Sequence, residues 1–344
     1  MPFILGRMTP DDSASHSTDG EEFSGDRLHQ PHDKLFTAAF GVPENAAALL
    51  RSELPRELAD AIDWHSLRLE PGSFVDARFR QSHTDLLFSA NIGGSEALLY
   101  ILFEHQSSRD PRLPLRLLGY MANIWDQMDR RRSGLMKLPP ILPVVISQNA
   151  ELWDVPECLA ELLDLPRALK DILRPFIPDF HYRHLQLAAM DYETIPGTSS
   201  GILVLRVMKA ERLGELLSDP MWDESLLVAV PPEIFEMVLR YILGRDIDKG
   251  TFEARIEEIS NPQIRSTAMT LAQVYRQEGL EKGMERGHQK GRQASILETL
   301  ECRFGSVPTE IRDAVARVES DGQLRALNRA AIQSASLAEF AKHL

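Results

Sequence analysis

The chain has 344 residues, a formal net charge of -13, 43% hydrophobic residues and 26% charged residues. This length predicts a large core in two or more domains. The acidic balance excludes a generally basic nucleic-acid-binding protein, so contact with phosphates would need a local patch. No run approaches the roughly 18 apolar residues of a membrane span. We therefore expect no membrane contact. Cys158 and Cys302 form no CxxC pattern, so we also expect no zinc site and a cytoplasmic location.

The N-terminal half alternates between helical and strand patterns. Residues 1–28 lack an apolar period and are predicted to form a disordered tail. Helical periods follow in "HDKLFTAAF" and after Pro43. Two apolar runs, "TDLLFSA" and "ALLYILF", flank the turn-forming "NIGGSE" and predict a β-hairpin. An amphipathic helix in "PLRLLGYMANIWDQMDRRR" and strands in "PPILPVVISQN" and "HLQLAAM" come next.

From Gly201 onward the pattern is helical. The order of elements predicts an α/β fold with a mixed central sheet flanked by helices, followed by a helical C-terminal region. We expect one domain at residues 29–250, a helical linker at 251–294 and a small helical module at 295–344. The core of the last stretch is predicted to contain Leu324, Leu327, Ile332, Leu337 and Phe340.

The segment "GLEKGMERGHQKGRQ" places glycine at every fourth residue from Gly279 to Gly291. Each glycine costs a helix roughly 0.5–1 kcal/mol relative to alanine, so an isolated helix of this composition should not persist. The segment is either a hinge or a helix that packs closely against a partner helix. We expect a homo-oligomer formed through this C-terminal region.

Two carboxylates are expected at one end of the hairpin. Glu104 ends the second apolar run, and Asp85 precedes the first. With a turn around Gly94 and Ser95, Asp85 lies roughly opposite Glu104, and Gln106 has the same strand parity as Glu104. Two close carboxylates repel each other unless a cation lies between them, and Mg²⁺ prefers such oxygen ligands. The alternative is that both merely end their strands and meet solvent or an arginine.

The order of Asp85, Glu104 and Gln106 resembles the PD-(D/E)XK nuclease superfamily, in a form with glutamine at the lysine position. The closest resemblance is to the recombination-promoting nuclease family, also described as YhgA-like transposases. It rests on "HDKLF", "HTDLLFS", "YILFEHQSSRDPRLPLRLLGYMANIW", "LPPILPVVIS" and "ELWDVP". The resemblance covers roughly residues 29–250, and it implies a restriction-endonuclease-like core in that domain.

The resemblance implies Mg²⁺-dependent cleavage of DNA, with Mn²⁺ as a substitute. Asp85, Glu104 and the main-chain carbonyl of His105 would bind the metal ion, and Gln106 would hold the attacking water. Asp33 is a further candidate acidic residue on the first helix. Glutamine can only hydrogen-bond where lysine supplies a full charge. Ser147, Gln148 and Asn149 depart from the Tyr, His and Gly common in this family.

Arg116 and Tyr120 lie one helical turn apart. They either orient the Glu104 region or touch a phosphate, or else Arg116 is a surface charge and Tyr120 a core residue. Three functions remain open for the chain as a whole. It is an active endonuclease in DNA recombination, a binding or scaffold protein on a nuclease-derived fold, or a protein associated with transposition.

Overall fold

The computed structural model describes residues 26–70, 83–104, 109–132 and 137–344. Within the chain, a first compact unit ends at Asn261 and a second comprises Pro262–Leu344. The strands all belong to the first unit. They are β1 Ile62–Leu69, β2 His83–Ile92, β3 Ser95–Glu104, β4 Ile141–Ser147 and β5 Arg183–Gln186.

The strands form one five-stranded sheet in the order β1-β2-β3-β4-β5. β1, β2 and β3 are antiparallel neighbours, whereas β3, β4 and β5 run parallel. The sheet is therefore mixed, which confirms the predicted α/β class. The last predicted strand is shorter than its apolar pattern suggests, because a 3₁₀ turn begins at Leu187, directly after β5.

Helices surround this sheet and extend the first unit. The α-helices are α1 Asp26–Phe40, α2 Pro43–Glu53, α3 Arg56–Ala61, α4 Leu113–Arg132, α5 Lys170–Leu173, α6 Ser199–Leu213, α7 Glu224–Ala229, α8 Pro232–Leu243 and α9 Lys249–Glu258. Short 3₁₀ helices span Leu159–Leu162, Arg167–Leu169, Arg174–Phe176, Leu187–Ala189, Tyr192–Thr194 and Asp219–Met221. The predicted tail at residues 1–28 lies outside the described residues up to position 25, and residues 26–28 begin α1.

Each face of the sheet is covered by a different helix. The predicted apolar face of α4 is buried against alternate positions of β2, β3 and β4, including Leu87, Tyr100, Leu102 and Val145. On the opposite face, the ring of Phe36 in α1 stacks on Phe103 with centroids 4.5 Å apart. Alternation along β3 therefore divides its side chains between an α4 face and an α1 face.

The hairpin turns one residue earlier than the sequence predicts. Gly93 and Gly94 have φ angles of 55° and 88°, the left-handed conformation that a two-residue hairpin turn needs at both positions. This turn pairs Asp85 with Leu102 and His83 with Glu104. Asp85, expected roughly opposite Glu104, is therefore offset from it by two residues along the strand.

The second unit is helical throughout its main elements. It contains α10 Pro262–Phe304, α11 Thr309–Ala316, α12 Asp321–Gln333, α13 Leu337–Phe340 and a final 3₁₀ turn at Ala341–His343. Its core includes Ile296, Leu300, Leu324, Leu327 and Phe340.

One core prediction for the second unit is wrong. Ile332 is 60% exposed, whereas its neighbour Ala331 is fully buried. The helical period that contains Leu324 and Leu327 reaches position 331, and a residue one position later points about 100° away from the core.

The glycine-rich segment is part of α10, a continuous helix of 43 residues. A Cβ atom added at Gly279, Gly283, Gly287 or Gly291 would meet no other atom within 4 Å, leaving out the adjacent residues and the helix's own nearby backbone. Large side chains beside them are also exposed, with Leu280 at 59% and Met284 at 57%. The four glycines therefore neither break the helix nor pack against another part of the described chain.

Candidate active site

Asp85 lies near the start of β2, in a half-buried position. The pairing of β2 with β3 and of β3 with β4 places it in one row with Leu102 and Val145. Two rows further outward lie His83, Glu104 and Ser147. Asp85 is paired with Leu102, and position 104 lies two residues beyond Leu102 on the same strand. Asp85 and Glu104 are therefore diagonal neighbours across the β2–β3 pair.

The hydroxyl of Tyr100 donates a hydrogen bond of 2.9 Å to Asp85 Oδ1. Tyr100 is 1% exposed. Burial, followed by the neighbouring Asp85 carboxylate, holds the pKa of this phenol well above its usual range. The hydroxyl therefore stays protonated and acts as a permanent donor to the carboxylate. The sequence pattern does not single out Tyr100, although a lone hydroxyl in the apolar run "ALLYILF" needs a buried partner.

Arg116 and Tyr120 of α4 lie on the same side of the sheet as Tyr100. The Tyr120 ring meets the Tyr100 ring edge to face, with centroids 6.1 Å apart, and Tyr120 is 2% exposed. Arg116 Nη1 lies 3.3 Å from Asp110 Oδ2, and both side chains are largely shielded from water. Tyr120 is thus a core residue, while Arg116 is a shielded, paired charge and not a solvated surface arginine.

Asp33 is half-buried on α1. The neighbouring Phe36 packs on the face of β3 opposite to the one that carries Tyr100. Helix α1, which carries Asp33, therefore lies on one face of the sheet. Tyr100, the hydrogen-bond partner of Asp85, belongs to the other face. Its neighbour His32 is buried and shares hydrogen bonds with Tyr241 and Arg245, which tie α1 to α8 and the residues that follow it.

His105 and Gln106 lie outside the described residues, and Glu104 is described by its backbone. Within the described part of the chain, no group of three or more His, Cys, Asp or Glu side chains is arranged to hold a metal ion. The described geometry thus supplies one carboxylate, Asp85, and the register position of the second, Glu104.

The buried Ser147 and the half-buried His184 form a pair beside position 104. Ser147 pairs in register with Glu104, and its Oγ lies 2.9 Å from His184 Nε2. Burial lowers the pKa of His184 from 6.5 to about 4, so the imidazole is neutral at pH 7. The ring also packs near Trp153 and Tyr182, at centroid distances of 5.9 and 6.2 Å. Sequence reasoning does not identify His184, because no local motif surrounds it.

Gln148 follows β4 directly and is 1% exposed. Neither its carboxamide oxygen nor its nitrogen has a hydrogen-bond partner among the residues that the structure describes. Leaving such a buried group unpaired costs about 1–3 kcal/mol. Gln186 at the end of β5 is a contrast, because its carboxamide accepts from Trp153 N at 2.6 Å and donates to Trp153 O at 3.1 Å.

A family model described as "Putative transposase, YhgA-like" matches residues 30–223, which is more than half of the chain. The chain belongs to this YhgA-like family. Comparison with solved structures gives no significant match.

Curated relatives of this YhgA-like chain carry nuclease names. The recombination-promoting nuclease RpnD of Escherichia coli O157:H7 is 33% identical over 260 residues, covering 71% of this chain and 93% of that protein. RpnC of E. coli K12, also named a recombination-promoting nuclease, is 26% identical over 73% of this chain and 82% of its own length. The inactive nuclease-like protein RpnE of the same strain is 25% identical over 72% of this chain and 82% of its own.

The family is therefore nuclease-like, and its members include proteins named inactive. Among the described helices, none combines the length and apolar character required to cross a membrane.

Proposed function

We propose that this chain is a metal-dependent endodeoxyribonuclease that hydrolyses phosphodiester bonds of DNA during recombination. The observation that carries the proposal is the Asp85 carboxylate, held by Tyr100 and placed diagonally to position 104 at one end of the sheet. Relatives named recombination-promoting nucleases over most of this chain support the same function.

The donor chemistry at this sheet end suits a divalent cation. Asp85 and Glu104 would supply hard carboxylate oxygens, and the main-chain carbonyl of His105 a third oxygen, as Mg²⁺ or Mn²⁺ prefers. A cation bound there would activate a water molecule and stabilise charge on the phosphate. The hydrogen bond from Tyr100 restricts the rotation of the Asp85 carboxylate and holds Oδ1 towards the buried Tyr100 hydroxyl.

The remaining residues would act on the substrate and on the water. Gln106 would accept a hydrogen bond from the attacking water and orient it, because a glutamine carries no charge with which to polarise it. The water oxygen forms a bond to phosphorus as the phosphorus–oxygen bond of the leaving strand end breaks. One water proton would pass to solvent, the other would remain on the new phosphate until it ionises, and the leaving oxygen would take a proton from solvent to become a hydroxyl.

A plasmid-nicking assay with Mg²⁺, Mn²⁺ or EDTA tests the proposal. The wild type is expected to nick DNA with either cation and not with EDTA. Asp85→Asn and Glu104→Gln each remove one negative charge at nearly constant shape, so cleavage and the calorimetric affinity for Mn²⁺ should both fall by tenfold or more.

Asp60→Asn is the matched control, because it makes the same charge change at an exposed residue of α3 that pairs only weakly with Arg56. It should leave cleavage and Mn²⁺ affinity unchanged. If Asp85→Asn and Glu104→Gln both nick DNA and bind Mn²⁺ as well as the wild type does, the nuclease assignment is contradicted.

A second function, a binding or scaffold role with cleavage lost, has its own support. A relative named inactive aligns with 72% of this chain at 25% identity. The same assay decides between the two, since a scaffold protein would bind DNA or a protein partner without nicking under any of the three conditions.

A further inference from the structure

Gln148 lies at the sheet end that contains the proposed site. It is the residue after Ser147, which shares a register row with His83 and Glu104, and Asp85 lies two rows further inward. Because β3 and β4 are parallel and β2 is antiparallel to both, the start of β2 and the ends of β3 and β4 meet at the same edge. Position 148 is therefore one residue beyond the row of Glu104 and beyond the end of β4, where alternation along the strand no longer fixes the direction of its side chain.

The burial of Gln148 has no structural explanation among the described residues. Its side chain is 1% exposed, and both carboxamide atoms lack a hydrogen-bond partner there. An apolar side chain of the same shape would avoid this loss of hydration. A ligand group that enters this sheet end would supply the missing partner.

We propose that the Gln148 carboxamide binds a phosphate oxygen of the nucleic-acid substrate, an inference that rests on the proposed nuclease function. Its NH₂ group is a neutral donor, so it can approach a phosphate oxygen without competing with Asp85 and Glu104 for the metal ion. The long, unbranched side chain lets the carboxamide turn towards the ligand. Shielding from water strengthens the hydrogen bond once it forms.

The test replaces Gln148 with methionine, which keeps length and flexibility but removes the donor. Binding of a fluorescent DNA duplex is measured in Ca²⁺, cleavage in Mn²⁺, and the melting temperature without ligand. We expect Gln148→Met to melt at or above the wild-type temperature while DNA affinity or kcat/KM falls about tenfold. The salt dependence of binding should not change, because no phosphate-neutralising charge is lost.

Gln186→Met is the matched control for stability. Gln186 hydrogen-bonds to both backbone groups of Trp153, so this variant should melt below the wild type. Gln148→Met that melts as low as Gln186→Met would show that its carboxamide is structural, and unchanged DNA binding and cleavage would equally overturn the inference. If Gln148→Met cleaves DNA as well as the wild type, the inference about Gln148 is wrong and the proposed nuclease function stands. A wild type that neither binds nor cleaves DNA fails the proposed function, and the inference with it.

Discussion

At the scale of single residues, Asp85 and Tyr100 show how burial prepares a carboxylate for a fixed role. Tyr100 is buried, and its hydroxyl donates to Asp85 Oδ1 at 2.9 Å. A hydrogen bond to a charged acceptor contributes about 1.5–3 kcal/mol, more than a bond between neutral groups. The bond also limits the positions that the carboxylate can take, which matters for a group proposed to bind a metal ion.

The half-buried His184 predicts a pH dependence of stability. Its pKa in the folded chain is about 4, against 6.5 as the ordinary value. Between these values the unfolded chain binds the proton and the folded chain does not, so stability falls as the pH drops below 6.5 and stops falling near pH 4. The contribution of this one residue at pH 5 is about 2 kcal/mol. Urea unfolding at pH 7 and pH 5 measures it.

A variant without the imidazole isolates this contribution from those of the other histidines. His184→Gln retains a group able to reach the Ser147 hydroxyl but does not titrate between pH 4 and 7. The variant should be less stable than the wild type at pH 7, yet its loss between pH 7 and pH 5 should be smaller by about 2 kcal/mol. An identical loss in both proteins would show that folding does not lower the pKa of His184.

At the scale of elements, α10 combines continuity with poor helix-forming composition. Its four regularly spaced glycines have open space where a Cβ atom would stand. Replacing Gly279 and Gly283 with alanine should therefore stabilise the helix by about 0.5–1 kcal/mol each, because alanine reduces the entropy of the unfolded chain without meeting a neighbour. Far-ultraviolet circular dichroism during thermal unfolding gives the measurement.

Gly93→Ala is the contrasting substitution for this experiment. Gly93 has a φ of 55° in the β2–β3 turn, so alanine there should destabilise the chain despite equally open space. If the two α10 variants lowered the helical signal or the melting temperature, their glycines would have a conformational role that an unbroken helix does not explain.

At the scale of the whole molecule, the chain consists of two units, and each has a hydrophobic core of its own. The exposed middle of α10, with Leu280 at 59% and Met284 at 57%, belongs to the second unit. An exposed helical segment with four glycines is marginal in water, because each glycine costs about 0.5–1 kcal/mol relative to alanine. A second copy that packs on it would supply the missing burial, and glycines would allow a close approach of the two backbones.

Self-association through α10 therefore stays a prediction of the glycine spacing. Gly283→Leu combined with Gly287→Leu should lower the mass measured by light scattering, because leucine side chains separate two closely packed helices. The corresponding pair of alanine substitutions should retain the wild-type mass, since alanine remains small. A wild type that is monomeric at all concentrations would contradict the prediction directly.

Elements with a regular apolar period were predictable because periodicity depends on local geometry alone. Leu113, Leu117, Met121, Ile124 and Met128 share the buried face of α4, as their spacing indicates. The hairpin followed from two apolar runs around "NIGGSE", but its register did not. Either of two adjacent residue pairs could form that turn, and only the φ angles of Gly93 and Gly94 settle the choice.

The sequence by itself determined the α/β class, the elements with a regular apolar period, the family resemblance and the carboxylates that suggest cleavage chemistry. Tertiary structure alone decided which side chains meet. Tyr100 of β3 donates to Asp85 of the neighbouring β2, and Ser147 of β4 contacts His184 of the neighbouring β5. Gln148 is buried without a described partner. Such contacts join residues far apart in the chain, and their energies depend on desolvation, which exists only after the sheet and α4 have packed together.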